Sequence, residues 1–85
     1  MSYIIVVPKS VQKQLDRLPE QVYQRIVKKI QSLAEEPRPA GSLKLKGVEA
    51  EYRIRVGDYR LRYKVDDEKR IVILGRCQHR KNVYE

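Results

Sequence analysis

The stretch that decides the fold is residues 51–65, which read EYRIRVGDYRLRYKV. Apolar and basic residues alternate with a period of two on each side of Gly57-Asp58, and this alternation is typical of half-buried strands. A Gly-Asp pair between two such runs predicts a two-residue hairpin turn, because glycine adopts the positive φ that primed turns require. The stretch therefore predicts an antiparallel hairpin with one apolar and one basic face.

Closing this hairpin pairs residues of the same kind across the two strands. The predicted pairs are Val56–Tyr59, Arg55–Arg60, Ile54–Leu61, Arg53–Arg62 and Tyr52–Tyr63. We assign the apolar pairs to the core. The other face places arginine directly opposite arginine twice, which is destabilising.

We call that second face the cationic face, and its members are Arg53, Arg55, Arg60, Arg62 and Lys64. Within this face, the acidic Glu51 at the edge is the only residue that offsets the positive charge. A surface selected only for solubility would mix charges of both signs. The pattern therefore indicates a site for a polyanion, and the alternative interpretation is a solvated strand face.

The charge balance of the whole chain points the same way. The 85 residues carry a formal net charge of +8, which favours nucleic acid, an acidic protein or an anionic membrane as partner. The length predicts one domain over residues 1–85, near the small end of what folds alone. Six tyrosines are the only aromatic residues, which suits a core that lies close to a wet site.

Cysteine usage and hydropathy limit the location and the chemistry. No apolar run approaches the roughly 20 residues of a membrane span, and residues 3–7 are too short for a signal-peptide core. The single Cys77 excludes an internal disulfide and suits a reducing cytoplasm. One cysteine and one histidine cannot form a zinc site of the usual kind. We therefore expect a cytoplasmic protein with no metal and no cofactor.

The N-terminal half predicts a strand followed by two helices. Residues 3–7 are apolar and β-branched, which predicts a strand buried on both faces or nearly so. Ser10 is a good N-cap for a short helix that ends near residue 17. Pro19 opens a second helix with an apolar stripe, which runs to about residue 36 and stops before a proline. The two helices form an αα-hairpin.

The C-terminal half predicts strands. A rigid loop over residues 37–42 leads to a short strand-like piece over residues 43–47, and the long hairpin follows. Residues 71–74 are apolar at successive positions, so both faces of this segment are apolar, and they predict a central strand. Residues 75–85 form a polar tail. The fold class is therefore α+β: an N-terminal strand and an αα-hairpin packed on one face of a twisted, mainly antiparallel sheet of about four strands. The cationic face then occupies the open side of the sheet.

Several short motifs extend over nearly the whole length in a specific order. They are Leu15-Asp-Arg-Leu-Pro19, Glu36-Pro-Arg38, Lys44-Leu-Lys-Gly47, Tyr52-Arg-Ile-Arg55, Asp58-Tyr-Arg-Leu-Arg-Tyr63 and His79-Arg-Lys-Asn-Val-Tyr84. In this order the chain resembles the RelE/ParE superfamily of toxin–antitoxin toxins, and within it the RelE-like mRNA interferases. The last motif is the most RelE-like part, because gyrase-directed ParE proteins generally do not need those side chains.

The resemblance implies a metal-independent endoribonuclease. RelE-like toxins cleave mRNA in the ribosomal A site by attack of a 2′-hydroxyl on the adjacent phosphate, and a cognate antitoxin holds them inactive. That chemistry needs an acceptor for the 2′-OH proton, positive charge on the phosphorane oxygens and a proton for the leaving oxygen. Carried over from the family, the catalytic residues are Arg53, Arg55, Arg60, Arg80 and Tyr84.

Two departures from the family pattern change these roles. The best-known relatives have lysine where this chain has Arg53 and Arg55, and arginine holds its proton too tightly to be an easy general base. We therefore assign both arginines to charge stabilisation and backbone clamping, and either Tyr84 or His79 to proton acceptance. Tail spacing varies in the family, so Arg76 is an alternative to Arg80 as the catalytic tail arginine.

Further residues are candidates for contacts to RNA: Lys44, Lys46, Arg62, Lys64, Arg76 and His79. Most of these residues also have a narrower or alternative interpretation. Arg62 and Lys64 could contact ribosomal RNA phosphates or acidic antitoxin residues, the two loop lysines could be solvated charges, and His79 could order the tail through a hydrogen bond. Tyr84 could merely pin the tail to the sheet, and we interpret Cys77 as a small buried residue.

Three functions are therefore open at this point: the endoribonuclease, a ParE-like inhibitor that traps DNA gyrase without cleaving RNA, and a catalytically inactive binding module. The expected partners are a RelB-like antitoxin, the ribosome with its rRNA, and mRNA. We expect no membrane partner, and operator DNA only through the antitoxin. The antitoxin should present an acidic or amphipathic segment that folds on binding. Arginine contacts to phosphate carry no base identity, so codon preference is not encoded in this pattern.

Overall fold

A computed structural model describes residues 2–45 and 51–82 of the chain. Neither helix in these ranges has the length and apolarity needed to cross a membrane. The elements, in chain order, are β1 (Ile4–Val6), α1 (Lys9–Asp16), α2 (Glu20–Leu33), β2 (Leu43–Lys44), β3 (Glu51–Val56), β4 (Tyr59–Asp66), β5 (Ile71–His79) and a 3₁₀ turn (Arg80–Asn82).

The strands form one mixed sheet with both helices against one face. The strand order is β1-β5-β4-β3-β2, with β1 parallel to β5 and the other neighbours antiparallel. This confirms the predicted α+β architecture. The sheet has five strands rather than about four, because the two residues of β2 pair with β3.

The β3–β4 hairpin has the register that the alternation predicts. All five predicted pairs are present, and Glu51–Lys64 extends the ladder by one more. Gly57 takes a φ of +60° in the two-residue turn, a conformation that costs a residue with a Cβ more than it costs glycine. The turn chemistry and the hydrophobic pattern therefore fix the same register.

The core lies between the helices and the apolar face of the sheet. Because a fully buried aliphatic side chain stabilises the fold by about 1.5–3 kcal/mol, this cluster is the main source of stability. The completely buried Tyr63 donates its hydroxyl to the Pro37 carbonyl at 2.8 Å. The buried members are Val11, Leu15, Ile26, Ile30, Leu33, Ile54, Leu61, Tyr63, Val65, Val72, Leu74 and Cys77.

The prediction that the first strand is buried on both faces is wrong. β1 lies at the edge of the sheet, and its outer side is uncovered, so Ile4 is 66% exposed and Val6 is 40% exposed. The helix boundaries also differ by a few residues. Ser10 lies inside α1, which follows Pro8 directly, and α2 ends at Leu33 rather than near residue 36.

The prediction of a polar tail from residue 75 is also wrong. β5 continues to His79, because these polar residues pair with β4 as far as Tyr59. The ladder contains a register shift, since Tyr63 pairs with Leu74 and Arg62 with Arg76, which leaves Gly75 as an extra residue. Such a bulge re-aims the side chains that follow it.

The consequence of this bulge is a change of parity within β5. Val72 and Leu74 face the core before it, and Cys77 faces the core after it. Arg76 and Gln78 consequently lie opposite Arg62 and Arg60, on the open side of the sheet. A Cβ at position 75 would lie 3.4 Å from the Arg62 carbonyl oxygen, so glycine suits this close approach of the two backbones.

Candidate nucleic-acid interface

The cationic face lies on the open side of the sheet, where period-two alternation places it. β5 widens this face to three strands. We name two rows across it: the tip row, Arg55–Arg60–Gln78, and the middle row, Arg53–Arg62–Arg76. Lys64 lies beyond the middle row, opposite Glu51. The face thus carries one more arginine, Arg76, than the hairpin alone supplies.

A shallow cavity of about 150 Å³ lies at the hairpin turn, and we call it the tip pocket. Three arginines from three parts of the chain converge there: Arg55 from β3, Arg60 from β4 and Arg80 from the 3₁₀ turn. Among the described residues, the remaining lining comes from Gly57, Asp58 and Tyr59. Three guanidinium groups around one small cavity can surround an anion such as a phosphoryl group.

The turn residue Asp58 holds Arg80 at the pocket. The Arg80 backbone N–H donates to the Asp58 carbonyl at 2.8 Å, and Arg80 Nε lies 3.9 Å from Asp58 Oδ1. Both side chains are about two-thirds exposed, so the backbone bond contributes more to placement than the ion pair does. Of the two candidate tail arginines, Arg80 therefore lines the pocket, and Arg76 lies in the middle row.

His79 lies beside the pocket without lining it. Its ring packs edge-on against Tyr59, with ring centroids 5.0 Å apart. Its Nδ1 accepts a hydrogen bond from the Lys81 backbone N–H at 3.2 Å. Both contacts match the tail-ordering interpretation of this residue. Two other candidate residues, Lys46 and Tyr84, lie outside the described residues.

Lys44 does not reach the cationic face. It pairs with Tyr52 across the β2–β3 ladder, and Tyr52 packs against the core on the helix side of the sheet. Directly opposed residues share a face, so Lys44 lies at the sheet edge on the side away from the arginines. Its neighbour Leu43, opposite Arg53, occupies the open side and is 55% exposed.

Two residues of this region were missed by the sequence reasoning. The alternation predicts only a turn role for Asp58, although its carbonyl and carboxylate both contact Arg80. Gln78 falls in the predicted polar tail, yet it completes the tip row. The signal that could have found Gln78 is the renewed alternation after Gly75, where polar and less polar residues take turns up to His79.

Cys77 takes no part in the interface. It is buried on the helix side, and burial raises the pKa of its thiol to about 11. Its backbone N–H donates to the side chain of Gln14 at 2.8 Å, which ties β5 to α1. Within residues 2–45 and 51–82, no three histidine, cysteine, aspartate or glutamate side chains come together as a metal site.

A second polar cluster closes the opposite, open end of the hairpin, and we call it the open-end cluster. Arg38 donates to both carboxylate oxygens of Asp67 at 3.1 and 2.7 Å, and to the Tyr52 hydroxyl at 2.8 Å. Tyr3 donates to the same carboxylate at 2.7 Å. The Arg38 guanidinium lowers the pKa of Asp67, and the hydrogen bond to Asp67 raises the pKa of Tyr3. This cluster joins the N-terminus, the loop after α2 and the β4–β5 turn.

Comparison with known proteins gives consistent results along the whole chain. The family model described as ParE toxin of type II toxin-antitoxin system, parDE, matches residues 5–84. Toxin RelG of Mycobacterium tuberculosis is 28% identical over 85 residues, which cover 99% of this chain and 98% of RelG.

Two solved structures show the same fold over the same extent. In an archaeal RelE–RelB complex from Pyrococcus horikoshii, the matched chain is 31% identical with a TM-score of 0.85, and the match covers 98% of this chain and all of that one. The isolated RelE toxin of E. coli is 30% identical with a TM-score of 0.81, over 98% of this chain and 92% of the other.

Proposed function

The chain belongs to the RelE/ParE superfamily of type II toxin–antitoxin toxins, and we propose that it is a ribosome-dependent endoribonuclease that cleaves mRNA in the A site. The observation that carries this proposal is the convergence of Arg55, Arg60 and Arg80 on the tip pocket. A phosphodiester in that pocket would meet positive charge from three directions.

The proposed reaction needs charge stabilisation above all. Attack of the 2′-oxygen forms a bond to phosphorus, and the bond to the 5′-oxygen of the next nucleotide breaks. The products are a 2′,3′-cyclic phosphate and a free 5′-hydroxyl. Negative charge develops on the non-bridging oxygens in between, and preorganised donors at that position are each worth about a factor of 10²–10³ in rate. Arg55, Arg60 and Arg80 supply such donors.

Proton transfer requires groups other than these arginines, because a guanidinium retains its proton in proteins. We assign acceptance of the 2′-hydroxyl proton to the Tyr84 side-chain oxygen, as the family resemblance implies, and the leaving 5′-oxygen takes its proton from solvent water. His79 is less suited to the role, since its Nδ1 is engaged by the tail backbone and its ring packs against Tyr59. Arg53 lies one row away from the pocket, so its proposed part is to clamp the RNA backbone.

The proposed partners follow from the cationic face. RelE proteins from several organisms form RelE–RelB complexes, and we infer a RelB-like antitoxin for this chain. An acidic segment would neutralise the arginines, and such an association weakens with added salt. The ribosome and mRNA are the other proposed partners, in the cytoplasm, with operator DNA bound only through the antitoxin.

The ParE-like alternative, gyrase inhibition without RNA cleavage, has less support. The matching family model is described as ParE toxin, but the two solved structures described above, at 30% and 31% identity, contain RelE toxins, and the tip pocket would have no role in such an inhibitor. The two functions differ in an observable way, since a gyrase inhibitor causes a DNA-damage response and leaves mRNA intact.

Mapping of RNA 5′ ends after induction tests the proposal. Cells expressing the wild-type chain should accumulate new 5′ ends inside coding regions, in a fixed register to the reading frame. Arg60→Gln and Arg80→Gln should abolish these ends, while Arg17→Gln, an exposed cation on the helix side, should leave them unchanged. Intact mRNA in growth-arrested wild-type cells would refute ribosome-dependent cleavage.

A further inference from the structure

The middle row places three arginines side by side on three strands. Arg53, Arg62 and Arg76 are directly opposed across the β3–β4 and β4–β5 ladders. Adjacent strands lie about 4.8 Å apart, so the three Cα positions span roughly 10 Å. The third member is present only because the bulge at Gly75 changes the parity of β5. The row is therefore a product of two separate features, the hairpin alternation and the bulge.

The row carries more positive charge than its surroundings neutralise. Glu51 Oε1 lies 3.0 Å from Arg62 Nη2 and is the acid that pairs with the row in the described part of the chain. The Glu51 side chain is only 14% exposed, against 37% for Arg62. One carboxylate thus faces three guanidinium groups. Arg62 Nε is also buried with no acceptor among the described residues, so this pairing satisfies the guanidinium incompletely.

We propose that the middle row is a second phosphate subsite, which holds the phosphodiester adjacent to the one cut in the tip pocket. This inference rests on the proposed function, because it assumes that an RNA strand enters that pocket. Successive residues on one face of a strand lie about 7 Å apart, a step comparable to the separation of successive phosphates in an extended RNA strand. The tip row and the middle row would therefore bind two consecutive phosphates.

In the free protein, Glu51 occupies the place of a phosphate oxygen on Arg62. An incoming phosphate accepts from the Arg62 fork in a bidentate manner, as arginine and phosphate geometry favours, and displaces the carboxylate. Arg53 and Arg76 flank the phosphate from the neighbouring strands. Glu51 consequently reduces RNA affinity in the resting state and keeps Arg62 in position.

An RNA backbone fits this row better than the carboxylates of a protein partner. The two rows are continuous, have one regular spacing and lead directly to the tip pocket, so a single strand can contact both without a change of direction. An acidic peptide that binds here instead is the main competing outcome of the tests below.

The first test measures binding of a non-cleavable 2′-O-methyl RNA oligonucleotide to the purified toxin by fluorescence anisotropy across a salt series. Loss of one phosphate contact should reduce the slope of log K against log salt by about 0.7 for a single strand. Arg62→Gln should show this change and weaken binding severalfold for every sequence. Arg17→Gln should match the wild-type slope. An unchanged slope for Arg62→Gln, with the fold intact by circular dichroism, would overturn the proposal.

Glu51→Gln provides a test with the opposite sign. Removal of the competing carboxylate should tighten RNA binding severalfold, and more than Glu68→Gln, which removes an equal charge in the β4–β5 turn. The gain should vanish in the Arg62→Gln background, because the two residues act through one contact. A gain of the same size in that background would show a general charge effect and would contradict the displacement of Glu51 by phosphate.

A third experiment separates failure of the subsite from failure of the proposed function. Two ribosome-bound messages are compared under single-turnover conditions. Each carries one uncharged methylphosphonate, placed before the cleavage point in one message and after it in the other. One of the two substitutions should lower the cleavage rate of the wild-type toxin about tenfold. The same substitution should not lower the cleavage rate of Arg62→Gln below the rate of that variant on the unsubstituted message. If neither substitution slows the wild-type toxin, the subsite is wrong although cleavage stands. If no message is cut, the proposed function fails, and the salt slopes still decide whether the row binds RNA.

Weakened antitoxin binding by Arg62→Gln with normal RNA binding would assign the row to the antitoxin instead.

Discussion

At the open end of the β3–β4 hairpin, Arg38 lies against Asp67 and Tyr52 with three hydrogen bonds. At the turn end, Arg55 and Arg60 lie directly opposite each other, and neither has an acidic partner within the described ranges. The same residue type is thus neutralised at one end of the hairpin and left without neutralisation at the other.

This difference separates stability from function within a single supersecondary element. A bidentate arginine–carboxylate pair with a further tyrosine hydrogen bond stabilises the fold and closes the sheet. Opposed arginines destabilise the hairpin, but they present preorganised charge to an anion. We infer that the open-end cluster and the core compensate for the strain of the turn end, so substitutions at the two ends should affect different properties.

The largest effect is expected at the tip pocket. Arg80→Gln should lower the rate of cleavage of ribosome-bound message about 100- to 1000-fold, because it removes one donor to the developing charge. The thermal midpoint should stay within a few degrees of wild type, since Arg80 is 67% exposed. Single-turnover cleavage and thermal denaturation measure the two quantities. A variant that cleaves at the wild-type rate would remove Arg80 from the mechanism.

The next largest effect is expected in the core beneath the open end. Tyr63→Phe leaves the Pro37 carbonyl without its buried donor, which should cost about 1 kcal/mol of stability and lower the melting temperature by about 4–8 °C. Cleavage below the melting temperature should be unchanged.

Tyr23→Phe is the matched control for this change, because the Tyr23 hydroxyl makes no hydrogen bond within the described residues and is only partly buried. Equal stability losses for the two tyrosines, measured by chemical denaturation, would show that the Pro37 contact contributes nothing specific.

A smaller effect is expected in the acid dependence of stability. The Arg38 guanidinium lowers the pKa of Asp67 in the folded state, below the unfolded value of about 3.9. The contribution of the ionised Asp67 carboxylate to the stability of the fold is therefore fully present above about pH 4, and it is lost as the pH falls through the folded-state pKa. Asp67→Asn should melt earlier than wild type at pH 7, and the difference should shrink as the pH falls to 2. A difference that stays constant with pH would contradict this coupling.

The smallest effect is expected for the side chain that helps to position Arg80. Asp58→Asn removes an exposed ion pair at 3.9 Å but keeps the backbone hydrogen bond to Arg80, so the cleavage rate should fall by about fivefold or less. The loss should diminish at high salt, where the ion pair is screened. A loss as large as that of Arg80→Gln would mean that the Asp58 carboxylate takes part in the reaction itself.

The sequence was sufficient to predict the hairpin in detail. Period-two alternation and the Gly57-Asp58 turn are local signals, and together they determined the register and the cationic face. The exposure of β1 was not predictable in this way, because an apolar run reads the same in a central strand and at an edge. The position of a strand in the sheet is a property of the whole fold.

Three further features were not predictable for the same reason. After the bulge at Gly75, the positions of β5 that face the core change from even-numbered to odd-numbered residues. A single alternation pattern therefore does not fit the whole strand, and its second half resembles a polar tail. Lys44 lies on the helix side because of how β2 pairs with β3, which no local pattern in residues 43–47 specifies. Arg38 and Asp67 are 29 residues apart, and their contact depends on tertiary structure alone.

The most direct test is to compare Arg60→Gln with Arg38→Gln in single-turnover cleavage of ribosome-bound message, at a temperature well below both melting points. Both substitutions remove one guanidinium from the same hairpin region. Arg60→Gln should reduce the rate about 100- to 1000-fold, whereas Arg38→Gln should cleave within about twofold of wild type and show its loss only in thermal stability. Equal rate losses for the two variants, or none for Arg60→Gln, would contradict the assignment of catalysis to the turn end.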